Sequence, residues 1–372
     1  MKRISILLLI FCTCFALAAW PQMPLSTHSR FITIDAPGAG TAAGQGTTAF
    51  LSDGLGTIGG DYIDGNNVTH GFLRTPWGTF IKFDVPGAGT GAYQGTYPAN
   101  MSLEGAIVGY LYDASNVAHG FLRTPWGTFV KFDVSGAGTL PGQGTAPMSI
   151  NSAGTIAGSY VDASNIFHGF VRSPHGTIIT FDAPGAGTGP YQGTDSTGGC
   201  LNSDGAFVGY VVDANYLYHG YLRTPDGTIT TFDAPGAGTG PGQGTVPEGI
   251  SPSGWIEGGY LDGDNVWHGF LRPGFGRTIS FDAPGAGTGA GQGTAPSAFG
   301  PSGMIDGYVF DANNVIHGFL RTPDGNITTF EAPGAGSGAG QGTGANTMTA
   351  TGEVLGLYWD SNGVFHGYMM TP

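Results

Sequence analysis

A histidine followed by glycine recurs at His70, His119, His168, His219, His268, His317 and His366. Fourteen residues after the first six stands an acid: Asp84, Asp133, Asp182, Asp233, Asp282 and Glu331. Histidine beside a carboxylate is the pairing that general acid–base chemistry uses. Six residues before each histidine stands Asp64, Asp113, Asp162, Asp213, Asp262, Asp311 or Asp360. In five units Asn67, Asn116, Asn165, Asn265 or Asn314 follows in the same turn. Carboxylate and amide oxygens of this kind are the donors that calcium and sugar hydroxyls use.

The spacing argues against catalysis. Each group returns every 49 residues, with one interval of 51, so any site is present seven times. An enzyme is expected to break such symmetry in one copy by acquiring a nucleophile, an extra acid or an open metal site. The departures noted are Ser135 for Pro, Tyr216 for Asn, Glu331 for Asp, Met370 for Arg, and Cys200 in a two-residue insertion between Gln192 and Asn202. None of them forms a constellation. The spacing of 49 also argues against a metal site built from two repeat histidines.

The elements that must position these residues are short strands. In the third unit they run roughly 146–151, 155–162, 167–173 and 177–182, bounded by Asn-Ser-Ala-Gly, Asp-Ala-Ser-Asn and Ser-Pro-His-Gly turns. No segment has helical periodicity. Four strands per unit, repeated seven times, predict an all-β, seven-bladed β-propeller of four-stranded blades. The blades are expected over 46–85, 95–134, 144–183, 193–234, 244–283, 293–332 and 342–372. A strand at 31–35 would complete the last blade, because that offset removes two sheet edges.

Within this frame the Thr75–Gly78 turn sets a register that brings His70 opposite Asp84. The pairs His70–Asp84, His119–Asp133, His168–Asp182, His219–Asp233, His268–Asp282, His317–Glu331 and, through closure, His366–Asp35 are therefore expected to be structural locks. The turn residues Asp64, Asn67, Asp113, Asn116, Asp162, Asn165, Asp213, Asp262, Asn265, Asp311, Asn314 and Asp360 share one rim with the glycine-rich loops. They are candidates for a glycan or Ca2+ site, set against the simpler role of turn capping. The recurring Arg74, Arg123, Arg172, Arg223, Arg272 and Arg321 are expected to pair with carboxylates or carbonyls between blades. Trp77 and Trp126 read as tips of an unconstrained turn.

Residues 1–18 have the form of a Sec leader, with Lys2 and Arg3, an apolar run and Ala16-Leu17-Ala18. Residues 19–30 are a polar lead. Loss of the leader leaves Cys200 as the one cysteine, so no intramolecular disulfide framework is expected. The formal charge of −14 becomes −16 without Lys2 and Arg3, which disfavours nucleic acid as a partner. A secreted monomer without a membrane span is expected. No cofactor is predicted beyond the Ca2+ option.

The units, with Ile156-Ala157-Gly158 preceding His168-Gly169-Phe170, resemble the HAF-type repeat of bacterial extracellular proteins, named for a His-Ala-Phe block. Here Gly replaces the Ala, and Tyr replaces the Phe in His219-Gly220-Tyr221. The resemblance implies a secreted bacterial repeat protein and no assigned chemistry. The function expected is a non-enzymatic binding or interaction module for an extracellular glycan or protein. The alternative is a glycan-active lyase or hydrolase working in the propeller channel.

Overall fold

The computed structural model describes residues 29–274 and 276–372. The expected leader and most of the polar lead lie outside the described residues. Within the described residues there are 28 strands and one short 3-10 turn, Pro301–Gly303. The first complete unit shows the plan: Gly46–Ser52, Ile58–Ile63, Thr69–Arg74 and Phe80–Phe83, each antiparallel to the next. β-Branched and aromatic residues favour these strands. Glycine at a positive φ, such as Gly78 at 88°, closes the turn between the third and fourth.

Each unit hands over to the next through a glycine. Gly95 has φ 119° and pairs in parallel with Thr69 of the preceding unit. A Cβ at that position would stand 2.0 Å from the Thr69 carbonyl oxygen, so the backbones approach this closely only with glycine present. Gly46 meets Phe365 in the same way.

These parallel steps correct the expectation of a seven-bladed propeller made of separate four-stranded blades. The hydrogen-bonded ladder passes from unit to unit, and all 28 strands belong to one sheet. The architecture is a closed, all-β, propeller-like ring. Its ends meet where Arg30–Ile34 pairs antiparallel with Phe365–Thr371, from Arg30 opposite Thr371 to Ile34 opposite Gly367.

The core is a set of layers between units. Phe72, Phe121, Phe170, Tyr221, Phe270, Phe319 and Tyr368, one per unit, are each fully buried. Burying one such ring stabilises the fold by about 2–3 kcal/mol. The glycine-rich loop is fastened by its own last residue: the buried Thr96 Oγ1 accepts the Val85 N–H at 2.9 Å, and Thr47 holds Ala36 likewise.

From Arg123 onward the recurring arginines pack on aromatic rings of the preceding unit, and where a carboxylate acts on one, Asp226 on Arg223 and Asp324 on Arg321, it stands in the same unit. The Arg123 guanidinium lies over the Phe83 ring of the preceding unit, 5.1 Å from its centroid, and donates to the carbonyl of its neighbour Thr124. Arg172, Arg223, Arg272 and Arg321 repeat the stacking. A cation over an aromatic face meets the negative side of the ring quadrupole. The two-residue insertion shortens one first strand to Gly193–Asp195 and places Cys200 in the core. Burial pushes that thiol well above its ordinary range.

Candidate functional site

Each repeat histidine sits on a third strand with its ring between two acids. The His70 Nδ1–H donates to Asp84 at 2.8 Å, and its Nε2 lies 3.7 Å from Asp64. The Nδ1 distances are 3.0 Å for His119–Asp133, 2.8 Å for His168–Asp182 and His219–Asp233, and 2.9 Å for His268–Asp282 and His366–Asp35. His317 bonds to Glu331. Because a carboxylate only accepts, these bonds select the tautomer that carries its proton on Nδ1. The hydrogen bond to Asp84 raises the His70 pKa above its ordinary value.

The turn aspartates are engaged by their own backbone. Asp64 Oδ1 accepts the N–H groups of Asn66 and Val68 at 2.8 and 2.9 Å. Burial pushes its pKa up, but those two bonds, with the nearby His70 and the Asn66 side chain, together hold the carboxyl below its ordinary range. Asp113, Asp162, Asp213, Asp262, Asp311 and Asp360 bond and shift in the same direction.

The asparagines are engaged as well. Asn67, Asn116, Asn165, Asn265 and Asn314 take left-handed conformations with φ between 60° and 63°. Each Oδ1 accepts from a loop glutamine, as Asn67 does from Gln45 Nε2 at 3.0 Å. The rim is thus brought together as a lattice of turn caps. Among the described residues no group of three or more His, Cys, Asp or Glu side chains could hold a metal ion.

Two kinds of residue escaped the repeat-by-repeat reading. The first is tyrosine on the loop rim. Tyr93 and Tyr191 stand where the other five units have Gly44, Gly142, Gly242, Gly291 and Gly340, and both keep the left-handed backbone, with φ 64° and 61°. Their side chains are 76% and 66% exposed. Tyr97 donates to the Tyr93 carbonyl and stacks on Tyr110 at 5.3 Å, with Tyr112 edge-on to both. Tyr216, also left-handed, reaches the Pro190 carbonyl beside Tyr191.

The second kind is acid at interior positions. Asp61 is crowded between two strands, and burial raises its pKa to about 7. Asp195 accepts from Ser159 and Tyr210. Glu248 is pushed by burial to about 8. Glu257 and Asp306 are fully buried. The signal was available for the last two, which replace a small or apolar residue, Gly59, Val108, Ala157, Val208 or Leu355, of the equivalent strand position in the other units.

No family model matches the chain, and no curated protein matches it. Solved structures do. The chain is similar to the BP39L lectin of Burkholderia pseudomallei, with 12% identity over 87% of this chain and 95% of that one, at a TM-score of 0.57. It is similar to puromycin hydrolase at 13% identity and a TM-score of 0.51, over 88% of this chain and half of the hydrolase. A six-bladed fungal lectin from Aleuria aurantia aligns over 92% of this chain and 97% of its own at 12% identity, but its TM-score of 0.34 carries no argument.

At such identities the likeness speaks for fold alone. The expected seven separate four-stranded blades give way to the one continuous 28-strand ring. The propeller-like repeat fold stands. No helix among the described residues is long and apolar enough to cross a membrane.

Proposed function

We propose that this is a secreted, non-enzymatic module that binds glycans, and that Tyr93 and Tyr191 make the central sugar contacts. The observation that carries this reading is conformational. A bulky residue at positive φ is an outlier, and it costs on the order of 1–2 kcal/mol over glycine. Neither ring recovers that cost by burial, since both face solvent. Strain kept without a packing return is the mark of a binding position. An exposed tyrosine offers an apolar face for the C–H side of a sugar and a hydroxyl for its polar edge.

Two further points support the reading. The turn carboxylates and amides on the same rim are engaged internally, which leaves the aromatic groups as its free chemistry. The fold likeness includes a lectin of nearly the same extent. The resemblance to HAF-type repeats agrees with an extracellular setting.

A glycan array followed by titration of the best ligand tests the function. Tyr93→Gly and Tyr191→Gly test the site. Restoring glycine is expected to leave the melting temperature equal or higher while weakening binding at least tenfold. An array with no saturable ligand refutes the function. Full binding by the double variant refutes the placement.

A further inference from the structure

Glu257 and Asp306 occupy one equivalent position on the second strands of successive units, where Gly59, Val108, Ala157, Val208 and Leu355 stand elsewhere. Both are 0% exposed, and none of their four carboxyl oxygens has a well-formed hydrogen bond. The charges that bear on Glu257 are the acids Glu248 and Asp306, and among the described residues no lysine or arginine acts on either carboxyl. A buried acid left this way is costly unless something else compensates it.

The wall beside them is thin. Gly249 pairs with Glu257 across the ladder, and Ala298 pairs with Asp306. A Cβ on Gly249 would stand 2.5 Å from Glu257 Oε1, so this carboxyl fills the space that a side chain on the wall would take. Gly249 and Ala298 both line a cavity of about 760 Å3. Asn100 and Thr347, on the first strands of distant units, line it too, which places it at the central opening of the ring. Trp255, Leu271 and Phe299 give it an apolar surface. The partly exposed Glu248 adjoins Gly249 on the same strand.

We propose that this central cavity binds a small organic cation, an ammonium group on an apolar or aromatic body, with Glu257 and Asp306 as its counter-charges. The cavity supplies the Trp255 ring for cation–π contact, and the two carboxyls stand behind its Gly249 and Ala298 wall, where a cation would act on them across the ladder. A divalent metal fits less well. Calcium requires six to eight oxygens, and the described residues assemble no metal-ligating group of three side chains. Burial raises both carboxyls above the ordinary range, which favours their protonated form, and a neighbouring cation favours the ionised one. Binding is therefore expected to release a proton from a carboxyl to solvent. This site is independent of Tyr93 and Tyr191, which lie on the opposite rim.

Calorimetric titration with benzylammonium, benzyl alcohol and Ca2+ decides the matter. Saturable binding of benzylammonium is expected, with proton release visible between buffers of different ionisation enthalpy. Benzyl alcohol should bind at least tenfold more weakly. Glu257→Gln and Asp306→Asn should each weaken benzylammonium at least tenfold. The amine–alcohol comparison on the unaltered protein needs neither variant to fold. Equal affinity for alcohol and amine, no binding of the amine, unchanged affinity in both variants, or a site taken by Ca2+ alone would each overturn the proposal.

Discussion

His366 donates from Nδ1 to the Asp35 carboxylate over 2.9 Å, although 331 residues of chain separate them. That bond and the five-residue ladder beside it close the ring. A chain lacking residues 29–35 should melt cooperatively at a temperature at least 10 °C lower, because Phe365–Thr371 becomes a bare edge and the Ile34 and Phe31 packing is lost. Asp35→Asn, which keeps the strand, should cost only about 1 kcal/mol, since the carboxylate is half exposed. Thermal melts by circular dichroism compare the two, and an unchanged melting temperature in the shortened chain refutes closure.

Gly95 and Gly44 have positive φ for different reasons. At Gly95 a Cβ would meet the Thr69 carbonyl oxygen at 2.0 Å, whereas at Gly44 nothing lies within 4 Å. Gly95→Ala should therefore lose more than about 3 kcal/mol, through backbone displacement as well as conformational strain. Gly44→Ala should lose about 1 kcal/mol, from conformation alone. Urea unfolding of the matched pair gives the two values, and equal losses would contradict the close approach.

Thr96 fastens its loop through one buried bond. Thr96→Val keeps the shape and leaves the Val85 N–H without an acceptor, at a cost of about 1–3 kcal/mol. Amide hydrogen exchange at Val85 should speed up more than at Phe83 in the neighbouring strand. Unaltered exchange at Val85 would show that the latch is not what holds the loop.

The unit's own regularities were legible because they lie within 49 residues: four strands, turn chemistry, and the register that brings His70 opposite Asp84. What joins units was not. The parallel step at Gly95 depends on the backbone of a different unit, so separate blades were expected where the ladder is continuous. Reading the consensus also hid the exceptions. Tyr93 does not stand out in the sequence, because its left-handed φ is invisible there. Nor does Glu257, because only the folded strands beside Gly249 show that its carboxyl is fully buried. Tyr62, Tyr160, Tyr260 and Tyr358 stack on the histidines of alternate units, a second periodicity that a single-unit comparison averages away.

Opposite pKa shifts bound the stability on both sides. The turn aspartates are held below their ordinary value of 3.8, so the stability they contribute is present above it and is lost as pH falls through their folded pKa values. Asp61 behaves in reverse. Its folded pKa of about 7 lies above 3.8, so the folded state favours the protonated form, and that contribution is complete below 3.8 and lost as pH rises to about 7. Glu248 extends the same loss to about 8, and His70, raised by Asp84, adds to it above its ordinary 6.5. The melting temperature should therefore peak near pH 4–5 and decline toward pH 8. General repulsion in a chain of charge −14 would also produce a decline, but a gentle one that screens away with salt. Asp61→Asn separates the two causes: it should flatten the curve between about pH 4 and 7 in 0.5 M NaCl while leaving the acid limb in place. A melting temperature that climbs from pH 5 to pH 8, or an Asp61→Asn curve parallel to that of the unaltered protein, would refute the interior acids as the source of the pH dependence.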